Sequence, residues 1–262
     1  MIKNIWLAVC LFYMHDCFSQ QSFQLAPPTL KYTSAFFSGT TSFEVIFNQP
    51  GTEIRYTLNG TEPTEHDLLY STPVPITKHT VVKVKTFGRD FLPSATVSAT
   101  FVKDGKTIRE IRFSKPNEYY AKSRADILHD NIGGIANYRH GTWLGYDSDT
   151  VTIDIALEKE EKINKVLINL LQDENAWIFL PERMVLYYYS TNQKAYLPLG
   201  KEALVHEAPS LKKECSLREI IPQQGIKTDK LKLEIWPLKK IPDWHQGKGN
   251  HAWLFIDEIK VY

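Results

Sequence analysis

Asp257 and Glu258 form an adjacent acidic pair, and paired carboxyls are what glycoside hydrolysis requires. That chemistry needs them flanking one sugar bond, roughly 5 to 9 Å apart, in a walled pocket. The pair lies within Trp253 to Val261, which alternates like a strand, so the two side chains are expected on opposite faces. Without a bulge they cannot serve one bond. His245 and His251 could bind a transition metal, but no third ligand stands at a metal-site spacing and His140 is distant, so hydrogen-bonding histidines are expected. Cys215 has no neighbouring motif to activate it and reads as an inert thiol. There is no Gly-rich phosphate loop, no Gly-x-Ser-x-Gly elbow and no Cys-x-x-Cys.

The aromatic residues carry a different chemistry. A sugar site sets an exposed Trp or Tyr face against the apolar face of a pyranose, with a few planar donors to fix the hydroxyls. Trp143, Trp177, Trp244 and Trp253 all lie beside loops or strand ends. Most such rings fill cores. Trp143 and Trp253 adjoin apolar strands and are expected inside. Trp177, after Asp173-Glu-Asn-Ala176, and Trp244, in a Pro/Gly/His-rich loop with His245, are expected at the surface. Tyr138-Arg139-His140 offers a polar wall on another loop, with plain solvent exposure as its equal alternative. Gly247 and Gly249 permit close backbone approach, to a ligand or to a neighbouring strand.

Strands must position these residues. Ser42 to Phe47, Glu53 to Leu58 and Thr80 to Phe87 alternate with period two, and Ser94 to Val102 is rich in β-branched residues. Gln49-Pro-Gly51, Asn59-Gly60 and Gly88-Arg-Asp90 supply turns between them, so Asn59 reads as a turn residue rather than a glycosylation acceptor. Further strands are expected at Val151–Ile155, Ile163–Leu171, Met184–Tyr189, Lys230–Trp236 and Trp253–Val261. Tyr119 to Trp143 has neither period and reads as a long loop, the place where a β-scaffold carries function. The chain is therefore expected to be all-β, with two β-sandwiches in series.

Composition agrees. With 31 Lys+Arg against 30 Asp+Glu the net charge is +1, which leaves no footprint for nucleic acid. A content of 43% hydrophobic residues is too high for a disordered chain. Lys3, the short apolar stretch Ile5 to Met14 and the small residues before Gln20 read as a secretory signal peptide over 1–19, too short to span a bilayer. Its removal takes Cys10 and Cys17 and leaves Cys215 without an intrachain partner. The expected layout is a linker at 20–27, a small sandwich at 28–103, a hinge at 104–112 and a larger sandwich at 113–262.

Thr52-Glu-Ile-Arg-Tyr-Thr-Leu-Asn-Gly-Thr-Glu-Pro-Thr64, with Leu69-Tyr-Ser71 and Pro75-Ile76, resembles the chitobiase/β-hexosaminidase C-terminal domain, an immunoglobulin- or fibronectin-like module. The second part resembles a discoidin (coagulation factor 5/8 type C) domain of the kind appended to bacterial family 20 hexosaminidases. It does so through Leu128-His-Asp130, Gly133, Trp143-Leu-Gly145, Asp149, Ile153-Asp154, Trp177-Ile-Phe-x-Pro181, Ser190, Pro242 to Gly249 and Ala252 to Ile259. The resemblance implies a discoidin-like jelly-roll sandwich that binds carbohydrate, of amino-sugar or galacto type, through its loops. The candidate contacts are Trp177, Trp244, His245, Tyr138, Arg139 and His140. It also implies structural calcium, with Asp130 as the loop ligand, Glu258 as the closing ligand, and the carbonyls of Asp257, Ile127 and Ile132 completing the shell; the equal alternative is that Asp130 caps the loop and Glu258 is a surface or ion-paired residue. Asn131 stands where that pattern has Gly, Ile135 where it often has a hydroxyl, and the loop to Trp143 is longer. The two resemblances leave no room for a catalytic barrel of roughly 250 residues, so a non-catalytic, secreted protein is expected, periplasmic or at the cell surface. A glycan is the expected partner, and docking to a glycoside hydrolase or surface protein is the alternative.

Overall fold

The computed structural model describes residues 23–121, 126–206, 208–210 and 212–262. The leader assigned to 1–19 lies outside the described residues. The alternating segments do become strands. In the first sandwich, Phe36–Phe37, Val97–Lys103, Thr80–Gly88, Thr52–Thr57 and Leu68–Leu69 form a five-stranded sheet in that order. It packs on a three-stranded sheet of Thr29–Lys31, Thr41–Ile46 and Val74–Ile76. Alternation sends Val82 and Val84 inward against Phe43 and Phe101, and all four are fully buried. Asn59 makes the expected turn: its side chain accepts from Thr61 N–H (3.1 Å), and Gly60 takes φ +77°.

The second sandwich sets a five-stranded sheet against a four-stranded one, with every pairing antiparallel. The first contains Ile108–Phe113, Val151–Ile163, Ile226–Trp236, Arg183–Ser190 and Ala195–Ala203 in order. The second contains Leu144–Tyr146, Leu254–Val261, Val166–Asp173 and Lys213–Ile220. Val166, Ile168 and Leu170 face the core between them. Leu167, on the opposite face, is buried as well because the first sandwich covers it. That double burial explains why this strand reads as a continuous apolar run.

Two boundaries move. The hinge expected at 104–112 is shorter, because Ile108–Phe113 already pairs with Val151–Ile163. Its polar part is tied down: Lys106 N–H donates to Val261 O at 2.7 Å, and Tyr262 Oη donates to Lys103 O at 2.5 Å. The linker expected at 20–27 contributes Phe23–Gln24, which pairs with Phe91–Leu92. Ala35, Phe36 and Val102 of the first sandwich then pack on Leu167 of the second, so the two are joined by an apolar seam.

The last strand departs from simple alternation. Ile168 pairs with Ile259 and Leu170 with Ile256, so Leu254–Val261 carries one extra residue at Asp257–Glu258. This is a β-bulge. Leu254 and Ile256 before it, and Ile259 and Val261 after it, all reach the same core. The expectation that the two carboxylates point to opposite faces is corrected accordingly. The bulge turns both beneath the loop around residues 131–134.

Candidate functional site

Two groups of chemically capable side chains flank the aperiodic loop of the second sandwich. At one end is an aromatic rim. A 3-10 turn at Glu118–Tyr120, capped by Asn117 whose Oδ1 accepts from Tyr119 N–H at 3.1 Å, delivers Tyr120 to the sheet end. Its ring meets Phe255, Trp253 and Tyr138 edge-on, at centroid distances of 4.8, 5.3 and 6.1 Å. The Arg139 guanidinium lies 5.3 Å from the Tyr138 ring centroid. Tyr119 is 89% exposed beside this cluster, while Tyr120, Tyr138 and Trp253 are half-buried. Trp143 is in the core as expected, 1% exposed, and its Nε1 donates to Ile135 O at 3.0 Å. The indole thus holds the loop from below.

Trp177 ends a second 3-10 turn, Glu174–Ala176, at φ +63°. A bulky aromatic in the left-handed region is unfavourable on its own and needs its surroundings to hold it. The holding contacts are Trp177 N–H to Glu174 O (2.8 Å) and Trp253 N–H to Trp177 O (2.9 Å). Gly247 completes them: a Cβ there would lie 2.8 Å from the Trp177 ring. The close approach that Gly247 permits is therefore to this indole.

Trp177 and Trp244, expected to be exposed, are half-buried over Phe179, Leu238, Ile241 and Ala252. Trp253, expected in the core, is half-exposed at the rim, because the regular strand begins only at Leu254. His245 is held at both ring nitrogens: Nδ1 accepts from Gly247 N–H (3.0 Å), leaving Nε2 to donate to Glu174 O (2.9 Å). It buttresses the Trp177 turn. His251 Nδ1 donates to Ala252 O instead of joining His245. His140 sits exposed on the loop beside Arg139. Sequence reasoning missed Tyr120 and misplaced Trp253. The aromatic doublet Tyr119-Tyr120 opening the aperiodic segment was the available signal.

At the other end of the loop is a buried polar seam against the first sandwich. Asp257 and Glu258 are 0% and 1% exposed, which seals this pair from any glycosidic bond. Asp257 Oδ2 accepts from Gly134 N–H (2.8 Å) and Asn169 Nδ2 (3.3 Å), while its Oδ1 has no hydrogen-bond partner. Burial pushes the Asp257 carboxyl up to about 8, against the Gly134 N–H that favours its charge. Burial likewise raises Glu258 to about 8, with the Lys260 ammonium opposing. Ser34 of the first sandwich closes the seam, accepting from Gly133 N–H at 3.2 Å.

The residues assigned to calcium meet here, with Lys260 among them. Asp130 Oδ1 accepts from Ile132 N–H (2.7 Å), Asp257 is turned to Gly134, and Glu258 Oε2 lies 3.0 Å from Lys260 Nζ. Ile127 is buried in the core, and Ile132 is exposed. Asn131 takes φ +63°, the left-handed conformation open to Asn in place of Gly. Among the described residues no three His, Cys, Asp or Glu side chains gather as a metal shell. Asp257 Oδ1 and both Glu258 carboxylate oxygens are buried without a hydrogen-bond partner, and the Lys260 ammonium is the cation beside them. A cleft of about 930 Å³ also runs between the sandwiches, past Tyr32, Asn169 and Cys215, but no rim residue borders it.

The fold and the rim define an all-β chain of two joined sandwiches, the second bearing an aromatic loop end. Residues 31–105 match the family model of the chitobiase/beta-hexosaminidase C-terminal domain. No curated protein matches the chain. Among solved structures, the chain is similar to a family 32 carbohydrate-binding module from Streptococcus pneumoniae EndoD, at 12% identity and TM-score 0.38, covering 61% of this chain and 96% of that one. A CBM32-2 module of GH31 bound to GalNAc aligns at 14% identity and TM-score 0.37, covering 59% and 97%. A pectin-binding carbohydrate-binding module aligns at 17% identity and TM-score 0.35, covering 60% and 91%. Among the described residues no helix is long and apolar enough to cross a membrane.

Proposed function

We propose that this is a secreted, non-catalytic protein that binds an amino-sugar or galacto-type glycan at the aromatic rim of its second sandwich. One observation carries the reading: three half-exposed rings, Tyr120, Tyr138 and Trp253, share one loop end with the Arg139 guanidinium against Tyr138. Half-exposed rings present an apolar face for a pyranose, and Arg139 with His140 supplies planar donors for its hydroxyls. Trp177 is tied to this end through its carbonyl, which accepts from Trp253 N–H, while its ring packs in the neighbouring cluster with Phe179. The rim is shallow, so single-site affinity is expected to be weak and retention to rely on multivalency or a partner such as a glycoside hydrolase. The first sandwich acts as a rigid mount.

A glycan-array screen of the purified protein tests this reading. Specific binding that is lost in Tyr138→Ala and in Trp177→Ala is the expected result. A blank array with folded protein overturns it and turns attention to a protein partner.

A further inference from the structure

We propose that the Lys260 ammonium is the built-in cation of the second sandwich's first loop, standing where the discoidin resemblance implies calcium and clamping that loop to the first sandwich. Lys260 is 4% exposed although it carries a charge. An ammonium has three N–H donors, and a buried one is tolerable only when it is paired. Lys260 Nζ donates a hydrogen bond to Asn131 Oδ1 at 2.8 Å and forms ion pairs with Glu258 Oε2 at 3.0 Å and Asp104 Oδ1 at 3.1 Å. Asn131 Nδ2 also donates to Asp104 Oδ2 at 3.1 Å, closing a ring of contacts.

The origins of the acceptors give the cluster its role. Glu258 lies on the last strand, Asn131 at the tip of the loop, and Asp104 just past the last strand of the first sandwich. One cation therefore joins the loop, the sheet and the neighbouring sandwich, and the Lys260 stem passes the Phe36 ring of that sandwich with Nζ 5.8 Å from its centroid. Calcium needs six to eight oxygens at roughly 2.3 to 2.6 Å. A dication bound by Glu258 would lie beside a desolvated ammonium, and the two like charges would repel strongly in so dry a setting. One oxygen of Asp130 and one of Asp257 accept from the loop's own N–H groups, Ile132 and Gly134. The loop that leads to Tyr138 and Arg139 is thus fixed by the pairing of the two sandwiches.

Thermal melts of the full protein test the proposal, and their outcome does not depend on glycan binding. The wild-type melting temperature should stay within about 1 °C between excess chelator and calcium at roughly 5 mM, above the range of weak extracellular sites. A rise of several degrees with calcium overturns the proposal. Lys260→Met should lower the melting temperature by on the order of 10 °C, since it removes the ammonium that Asn131, Glu258 and Asp104 share. An unchanged melt for that variant also overturns it. If Lys260→Met does not fold, the wild-type calcium comparison decides alone.

Discussion

The seam and the rim are built from one loop, and they treat polar and aromatic groups in opposite ways. At the seam, residues 131–134 meet the first sandwich: Asn131 donates to Asp104 and Gly133 to Ser34 across the boundary, and Gly134 donates to Asp257 of the buried bulge. At the rim, a few residues further on, Tyr138 and Arg139 reach water, and rings stay half-exposed. The seam's polar groups join the two sandwiches, and the cleft beside it, past Gly134 and Asn169, has no rim residue on it. The rim has faces and donors but little burial. Stability should therefore concentrate at the seam and recognition at the rim.

After the loss of Lys260, the largest effect should come from overfilling the seam. A Cβ at Gly105 would lie 2.0 Å from Val261 O, a backbone atom that cannot step aside. Gly105→Ala should lower the melting temperature by roughly 5–10 °C while the folded protein keeps its glycan binding. An unchanged melt would show that the seam is looser than described.

A smaller effect should follow pH. Asp257 and Glu258 have folded pKa values raised to about 8, so between about 4 and 8 the folded state holds protons that the unfolded chain has released. Stability should then fall as pH rises through that window and level off above it. Melts from about pH 5 to about pH 9 should show a decline that Asp257→Asn reduces. A rise over the same range would contradict the burial of these groups.

At the rim the balance reverses. Arg139 is exposed, so Arg139→Ala should shift the melt by less than about 2 °C. Its glycan affinity should nevertheless drop about tenfold, the loss of one good polar contact. Equal glycan binding by this variant would remove Arg139 from the site. The slightest change concerns Cys215, whose thiol burial pushes up to about 12. It should react slowly with a thiol reagent in the native protein and quickly once the chain is unfolded.

Legibility followed the same division. Strands with one buried face were plain, as the alternation at Val82 and Val84 shows. Ala195–Ala203 and Lys213–Ile220 were missed, because they expose parts of both faces, and Pro198 and Gly200 blunt the strand signal in the first. The bulge could have been read from the apolar phase itself, which runs through Leu254 and Ile256 and resumes one residue late at Ile259 and Val261. Lys260 could not be read as a paired interior cation. Its partner Asp104 lies in the other sandwich, and only the docking of the two brings them within 3.1 Å. Which aromatics stay half-exposed was not legible: exposure of a Trp depends on whether the strand begins before or after it, and Trp253 fell one residue outside.

The most direct measurement is a tryptophan-fluorescence titration of the protein with galacto-type and amino-sugar oligosaccharides, alongside Trp253→Ala. A saturable change is expected in the wild type, and the variant should lose it while remaining folded. Saturable binding of equal strength in Trp253→Ala, or none in the folded wild type, would contradict the rim as the carbohydrate site.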